Sequence, residues 1–221
     1  MKRVGDIIWG SAILVISLLF LLPDTNAVYI TLNSNHPFVL GFLKFAILAM
    51  MGELLVIRII GKEWKKVKGF FTKMLVWGII GIVITFMFKL FPMGIQGLID
   101  HDILFVGQGF IGRLLFGLYT SIVANFAFGP IFMAAHRIVD TYIDMRIEDK
   151  DATVNRVLNK IDWVDFIRLI VFRMLPLFWL PAHTLTFLLP EDYRILFAAY
   201  LSIVLGAMLA IVKRNDSNIS V

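Results

Sequence analysis

Residues 38–60 read FVLGFLKFAILAMMGELLVIRII, a run in which only Lys44, Glu53 and Arg58 carry charge. A helix needs about 20 mainly apolar residues to cross the ~30 Å hydrocarbon core of a bilayer, so this stretch is long enough to span one. Five more apolar windows lie on either side of it, at roughly 7–22, 74–91, 103–134, 174–189 and 195–212. Turn-forming residues separate them: Pro23-Asp24-Thr25-Asn26 after the first, Asn33–Pro37 before the second, Pro92–Asp102 after the third, and Pro190-Glu191-Asp192 before the last.

Composition agrees. Of 221 residues, 59% are apolar and 17% charged, where soluble domains average about 45–50% and about 25%. Mean hydropathy is +0.85. A soluble enzyme, a disordered tail and a secreted disulfide scaffold are excluded, and the lack of cysteine removes thiol chemistry and cysteine metal sites. The expected fold is all-α: a polytopic integral membrane helical bundle of six transmembrane helices occupying residues 1–221, with no soluble domain. The membrane would be cytoplasmic in a prokaryote and that of an internal organelle in a eukaryote.

Basic residues set the expected orientation. Lys2 and Arg3, then Lys62, Lys65, Lys66, Lys68 and Lys73, then Arg137, Arg146, Lys150, Arg156 and Lys160, and finally Lys213 and Arg214 alternate onto one side. Arg194, with Lys89 near a boundary, is left on the other. This predicts an N-in, C-in bundle. The first window has a rival reading as a signal peptide cleaved after Thr25-Asn26-Ala27, but Asp6 and Trp9 suit that poorly, and retention is expected. Trp64, Val67, Phe71 and Met74 recur at one-face spacing, which predicts a basic interfacial helix, so anionic lipids are expected to meet the Lys62–Lys73 segment. Val154, Val157, Leu158 and Ile161 predict a second short helix. The net charge of +5 points to a membrane surface, since no nucleic-acid module accompanies it.

Charges inside a span are its most informative residues. Glu53, Arg113 and Arg173 are placed deep, with Glu53 and Arg173 as the preferred ion pair, while Lys44 and Arg58 can snorkel. Together with Asn125 and His183 they form the candidate polar or pore set. Asp24, Asp100, Asp102, Glu191 and Asp192 make an acidic outer mouth opposed by Arg194, which would concentrate cations. Ala198, Ser202, Gly206 and Ala210 place a small residue at every fourth position, a helix-packing strip within the bundle or, as the sharper alternative, the face of a homo-oligomer. Gly107-Gln108-Gly109-Phe110-Ile111-Gly112 has the letters of a dinucleotide fingerprint without its strand or soluble helix, and its glycines read as close-packing positions. The histidines at 36, 101, 136 and 183 lack metal-ligand spacing, and neither a nucleophile elbow nor a pair of glutamates within a span is present. No catalytic residue, metal or cofactor is expected, and the chain does not read as an enzyme.

Trp179-Leu180-Pro181-Ala182-His183, followed by Thr186-Phe187, Pro190 and Arg194, resembles the Trp-Pro-x-x-Gln…Asn-Phe…Pro…Arg signature of the Mpv-seventeen and twenty-two-kilodalton peroxisomal membrane protein family. Gly129-Pro130 resembles that family's Gly-Pro element, Gly52-Glu53 its Gly-Asp pair, and Asp140 and Tyr142 its aromatic-acidic stretch. His183 stands in place of Gln and Thr186 in place of Asn, Pro181 is displaced by one position, and the closing Trp-Asn is missing. The resemblance covers roughly residues 38–210 and implies a small multi-pass protein of internal membranes with channel-like passage of small solutes. Function therefore reads as a pore or small-solute transport protein with a weak cation preference. The alternative is a membrane-embedded binding or scaffold subunit of a larger complex.

Overall fold

The computed structural model describes residues 2–148 and 151–219. Among them the fold is all-α, with no strand. Four helical stretches, 3–21, 37–61, 70–100 and 109–147, are long and apolar enough to cross a membrane. By contact the chain divides into two compact units, one of residues 1–85 with 199–221, the other of residues 86–198.

The first unit begins with α1 (Lys2–Leu21), α2 (Pro23–Asn35) and α3 (Pro37–Gly61). Two prolines set the breaks. Proline disfavours helical geometry in the residue before it, and Leu22 is accordingly extended. It is also well suited to the first helical position, where Pro23 and Pro37 sit. The region expected as a connection thus holds a helix of its own, with Tyr29 and Asn33 turned inward. Among its described side chains α1 buries none, so polar contacts tie it down: the Trp9 indole donates to the Met51 carbonyl at 3.0 Å, and Ser17 and Tyr200 hydroxyls meet at 2.8 Å.

Lys62, in left-handed geometry (φ 57°), ends α3, and Gly69 (φ 67°) precedes α4 (Phe70–Asp100). The segment between them is irregular, so the helix expected from the spacing of Trp64, Val67, Phe71 and Met74 does not form. Two left-handed residues within eight positions interrupt any helix there, and Phe71 and Met74 belong to α4 instead. Helices α3 and α4 cross in backbone contact. A Cβ on Gly41 would overlap the Thr85 hydroxyl, one on Gly81 the Gly41 carbonyl, and one on Gly78 the Phe42 ring. The strip on α10 (Glu191–Ile219) also meets α3: a Cβ on Gly52 would lie 3.3 Å from Ile203, and one on Gly206 3.1 Å from Val56. Ala198 and Ala210 are buried, and the Ser202 hydroxyl donates to the Ala199 carbonyl at 2.7 Å.

Helix α4 continues through Pro92 to Asp100, across the stretch expected as a loop. In the second unit α5 (Gly109–Val123), a π-helical turn at Ala124–Phe128 and α6 (Gly129–Ile147) form one continuous helical run. A proline ring collides with the carbonyl four residues back and lacks an N–H, and the widened turn just ahead of Pro130 accommodates both. After α7 (Val154–Lys160) comes α8 (Trp163–Phe166), capped by the Asp162 carboxylate, which accepts from the Asp165 N–H at 2.9 Å. A second π segment, Ile167–Trp179, contains Pro176 and leads into α9 (Leu180–Leu188). Of the fingerprint glycines, Gly107 and Gly109 have positive φ and serve the loop before α5, not helix packing. A Cβ on Gly112 would meet the Gly107 carbonyl of that same loop at 2.7 Å. Gly117 is the close-approach position: a Cβ there would stand 3.0 Å from the Thr184 carbonyl, in the α5–α9 packing that is the most extensive of the unit.

Candidate functional site

Polar side chains buried in the second unit converge where α5 meets α9. Thr120 and Ser121 are fully buried, and Asn125, inside the π turn, is 2% exposed. The Ser121 hydroxyl donates to the Leu180 carbonyl at 2.7 Å. The Asn125 amide nitrogen lies 2.8 Å from the Ser121 carbonyl and 3.1 Å from its hydroxyl. Because a carbonyl only accepts, this orients the amide, and Oδ1 faces His183 Nδ1 at 3.1 Å. Nδ1 therefore carries the proton of a neutral His183, and the lone pair is at Nε2, which has no partner among the described residues. Thr184 and Thr186 are satisfied locally, donating to Leu180 and Ala182 carbonyls at 2.7 and 2.8 Å. At His183, Nε2 is left over for a further hydrogen bond.

Aromatic rings surround that imidazole. Trp179, one turn earlier, stacks on it at 4.9 Å, and Phe88 meets it edge-on at 5.2 Å. Phe187, one turn later, packs on Phe88 at 5.0 Å and carries the Arg194 guanidinium 5.9 Å above its ring. The Trp179 indole N–H is buried with no acceptor among the described residues. One donor and one acceptor are thus left over on two stacked rings. The residues carrying the family resemblance, Trp179, His183, Phe187 and Arg194, thus fall in one contact network. Gly129, of the same resemblance, packs closely on Leu175, which a Cβ would approach to 3.1 Å.

Arg113 and Arg173 lie elsewhere. Both are exposed, Arg113 at the fifth position of α5 and Arg173 ahead of the uncharged stretch 174–190. Around the expected acidic mouth, Glu191 forms an ion pair with Lys89, and this cation holds the carboxyl below its ordinary range. Asp100 accepts from Gln96 at 2.8 Å, and Asp102 is exposed with a φ of 56°. Asp192 is partly buried at the start of α10. Of the five acids expected at that mouth, these four belong to the second unit, as do Lys89 and Arg194.

In the first unit Glu53 accepts from the Trp77 indole at 2.7 Å and lies 4.0 Å from Lys73. Glu53 and Arg173, the preferred pair from sequence, belong to different units. Lys44 does not snorkel. It is 6% exposed, and its ammonium donates to Asn33 Oδ1 at 2.8 Å and Tyr29 Oη at 3.2 Å. Arg58 grips Asp6 through two bonds of 2.7 and 2.9 Å, and Trp64 donates to the same carboxylate at 2.8 Å. Asp24 is exposed on α2.

Sequence reasoning missed Trp179 and Phe88 as neighbours of His183, and Ser121 as the partner of Asn125. Two signals were available: the i, i+4 step from Ser121 to Asn125, and the i, i+4, i+8 stripe of Trp179, His183 and Phe187. Among the described residues no three His, Asp or Glu side chains converge as a metal ion requires. No protein-family model, curated protein or solved structure matches this chain.

Proposed function

We propose that this chain is a six-span, N-in and C-in membrane protein that conducts small solutes, distantly related to the Mpv-seventeen and twenty-two-kilodalton peroxisomal membrane protein family. The observation that carries the reading is the Ser121–Asn125–His183 chain, which fixes one imidazole nitrogen and leaves the other free. Polar side chains within membrane helices face the interior of a bundle or a hydrated path. Here Nε2 offers an acceptor to a hydroxyl or a cation, and the stacked Trp179 ring carries a donor. The excess of carboxylates over Lys89 and Arg194 favours cations weakly, less than a mouth of five acids opposed by one arginine would.

Flux measurement tests this reading. Purified protein in proteoliposomes is expected to pass small uncharged polyols and to show a reversal potential shifted toward cations. Asp100→Asn with Asp102→Asn lessens that shift, and His183→Leu reduces polyol flux. If bilayers give no conductance and proteoliposomes no flux, the proposal fails. A tightly retained small molecule or partner subunit would then favour the binding or scaffold reading. For topology, impermeant thiol reagents should label cysteines placed at Asn35 or Gly97 from outside and fail at Lys66 or Asn155. Equal labelling of all four overturns the six-span arrangement.

A further inference from the structure

We propose that the irregular segment from Lys62 to Lys68 is a docking surface for the headgroups of anionic phospholipids. Its backbone is anchored from below. The Trp64 indole is bonded to Asp6, Val67 is 6% exposed, and a Cβ on Gly5 would overlap the Trp64 ring. With those two side chains turned inward, Lys62, Lys65, Lys66 and Lys68 are left exposed. The one acid among them, Glu63, lies 3.1 Å from Lys65 and cancels one charge, leaving three.

Lys73 is not part of this surface, because it turns inward toward Glu53 and its side chain is 11% exposed. Phe71, at 78%, is exposed beside the lysines at the start of an apolar helix. That placement selects a lipid over a soluble polyanion. The segment joins two helices long and apolar enough to span a membrane, so its ammonium groups meet the phosphate layer while Phe71 meets the upper acyl chains. The anchored backbone presents all four lysines from one short exposed segment before any lipid arrives, which lowers the ordering cost of binding.

The experiment uses the full chain in nanodiscs that mix phosphatidylglycerol with phosphatidylcholine, with bound lipids counted by native mass spectrometry. Each basic residue near an anionic surface contributes about 1 kcal/mol, so three net charges correspond to about a hundredfold preference for phosphatidylglycerol at low salt. Lys62→Gln, Lys65→Gln, Lys66→Gln and Lys68→Gln together should abolish most of it. Raising ionic strength should weaken the wild-type preference steeply, a readout that needs no variant. Inorganic phosphate at millimolar concentration should leave retention of the lipid unchanged, because it cannot use Phe71. Equal retention of the two lipids by the wild type, an unchanged preference in the quadruple variant, or displacement by phosphate alone would each overturn the proposal.

Discussion

Replacing Asn125 by leucine keeps the branching and heavy-atom count of its side chain and removes every polar contact that side chain makes. Ser121 keeps its bond to the Leu180 carbonyl, but the His183 Nδ1–H, 3.1 Å from Asn125 Oδ1, loses its acceptor. A buried donor left unsatisfied costs about 1–3 kcal/mol. Side-chain hydrogen bonds in membrane proteins couple by about 0.6 kcal/mol on average and about 1.7 at most. Asn125→Leu and His183→Leu should therefore each destabilise by about 1–2 kcal/mol in reversible unfolding from mixed micelles. The double variant should recover about 0.6–1.7 kcal/mol of the sum, because it leaves no orphaned donor. Nitrogen NMR of labelled histidine gives an independent reading. Wild-type His183 should carry its proton on Nδ1, opposite to the form that imidazole favours in water, and Asn125→Leu should release that constraint. Losses that add to within about 0.3–0.5 kcal/mol, together with a proton on Nε2 in the wild type, would refute the network.

Gly81→Ala adds a methyl that overlaps the Gly41 carbonyl. Overpacking of about 1–3 kcal/mol outweighs the gain of about 1 from helix propensity, so the melting temperature should fall. At Gly97, also within α4 but with open space around a Cβ, the same change should be neutral or stabilising. Asp6→Asn removes the carboxylate that holds both Arg58 and Trp64, and hydrogen exchange along residues 3–21 should quicken relative to α3. The Lys89–Glu191 pair depresses the carboxyl below its ordinary 4.5. Its contribution is thus complete above that value and disappears as pH falls through the lower, folded one. The stability difference between wild type and Lys89→Gln should be present at neutral pH and vanish in strong acid, remaining small throughout because both side chains are largely solvated.

Much of the second unit's site was already present in the notable residues of the sequence, but not as a site. His183 and Asn125 stand out because polar groups are rare in such apolar runs, yet their separation of 58 positions hides their contact. Nothing local marks Phe88 as the third wall, since it is one of 20 phenylalanines. For Arg113, the position along its helix depended on where that helix begins, which apolar windows do not mark. Helix ends follow backbone hydrogen bonds and left-handed residues such as Asp102, not hydropathy, so the run expected at 103–134 lies at 109–147.

The sequence by itself determined an all-helical chain with several helices able to cross a bilayer, because length, hydropathy and the starts at Pro23 and Pro37 are local properties. Only the tertiary structure decided which faces meet. In a soluble helix the apolar stripe points to the core, but here nearly every face is apolar, and the period that would reveal the packed side is erased. What remains to select partners is close backbone approach, as at Gly41, Gly81 and Gly117, and the pairing of scarce polar groups. Lys44 with Tyr29 and Asn33, Glu53 with Trp77, and His183 with Asn125 are such pairs. Their selection rests on three-dimensional proximity, since an unpaired polar group in an apolar interior is costly and takes whichever partner the fold brings within reach.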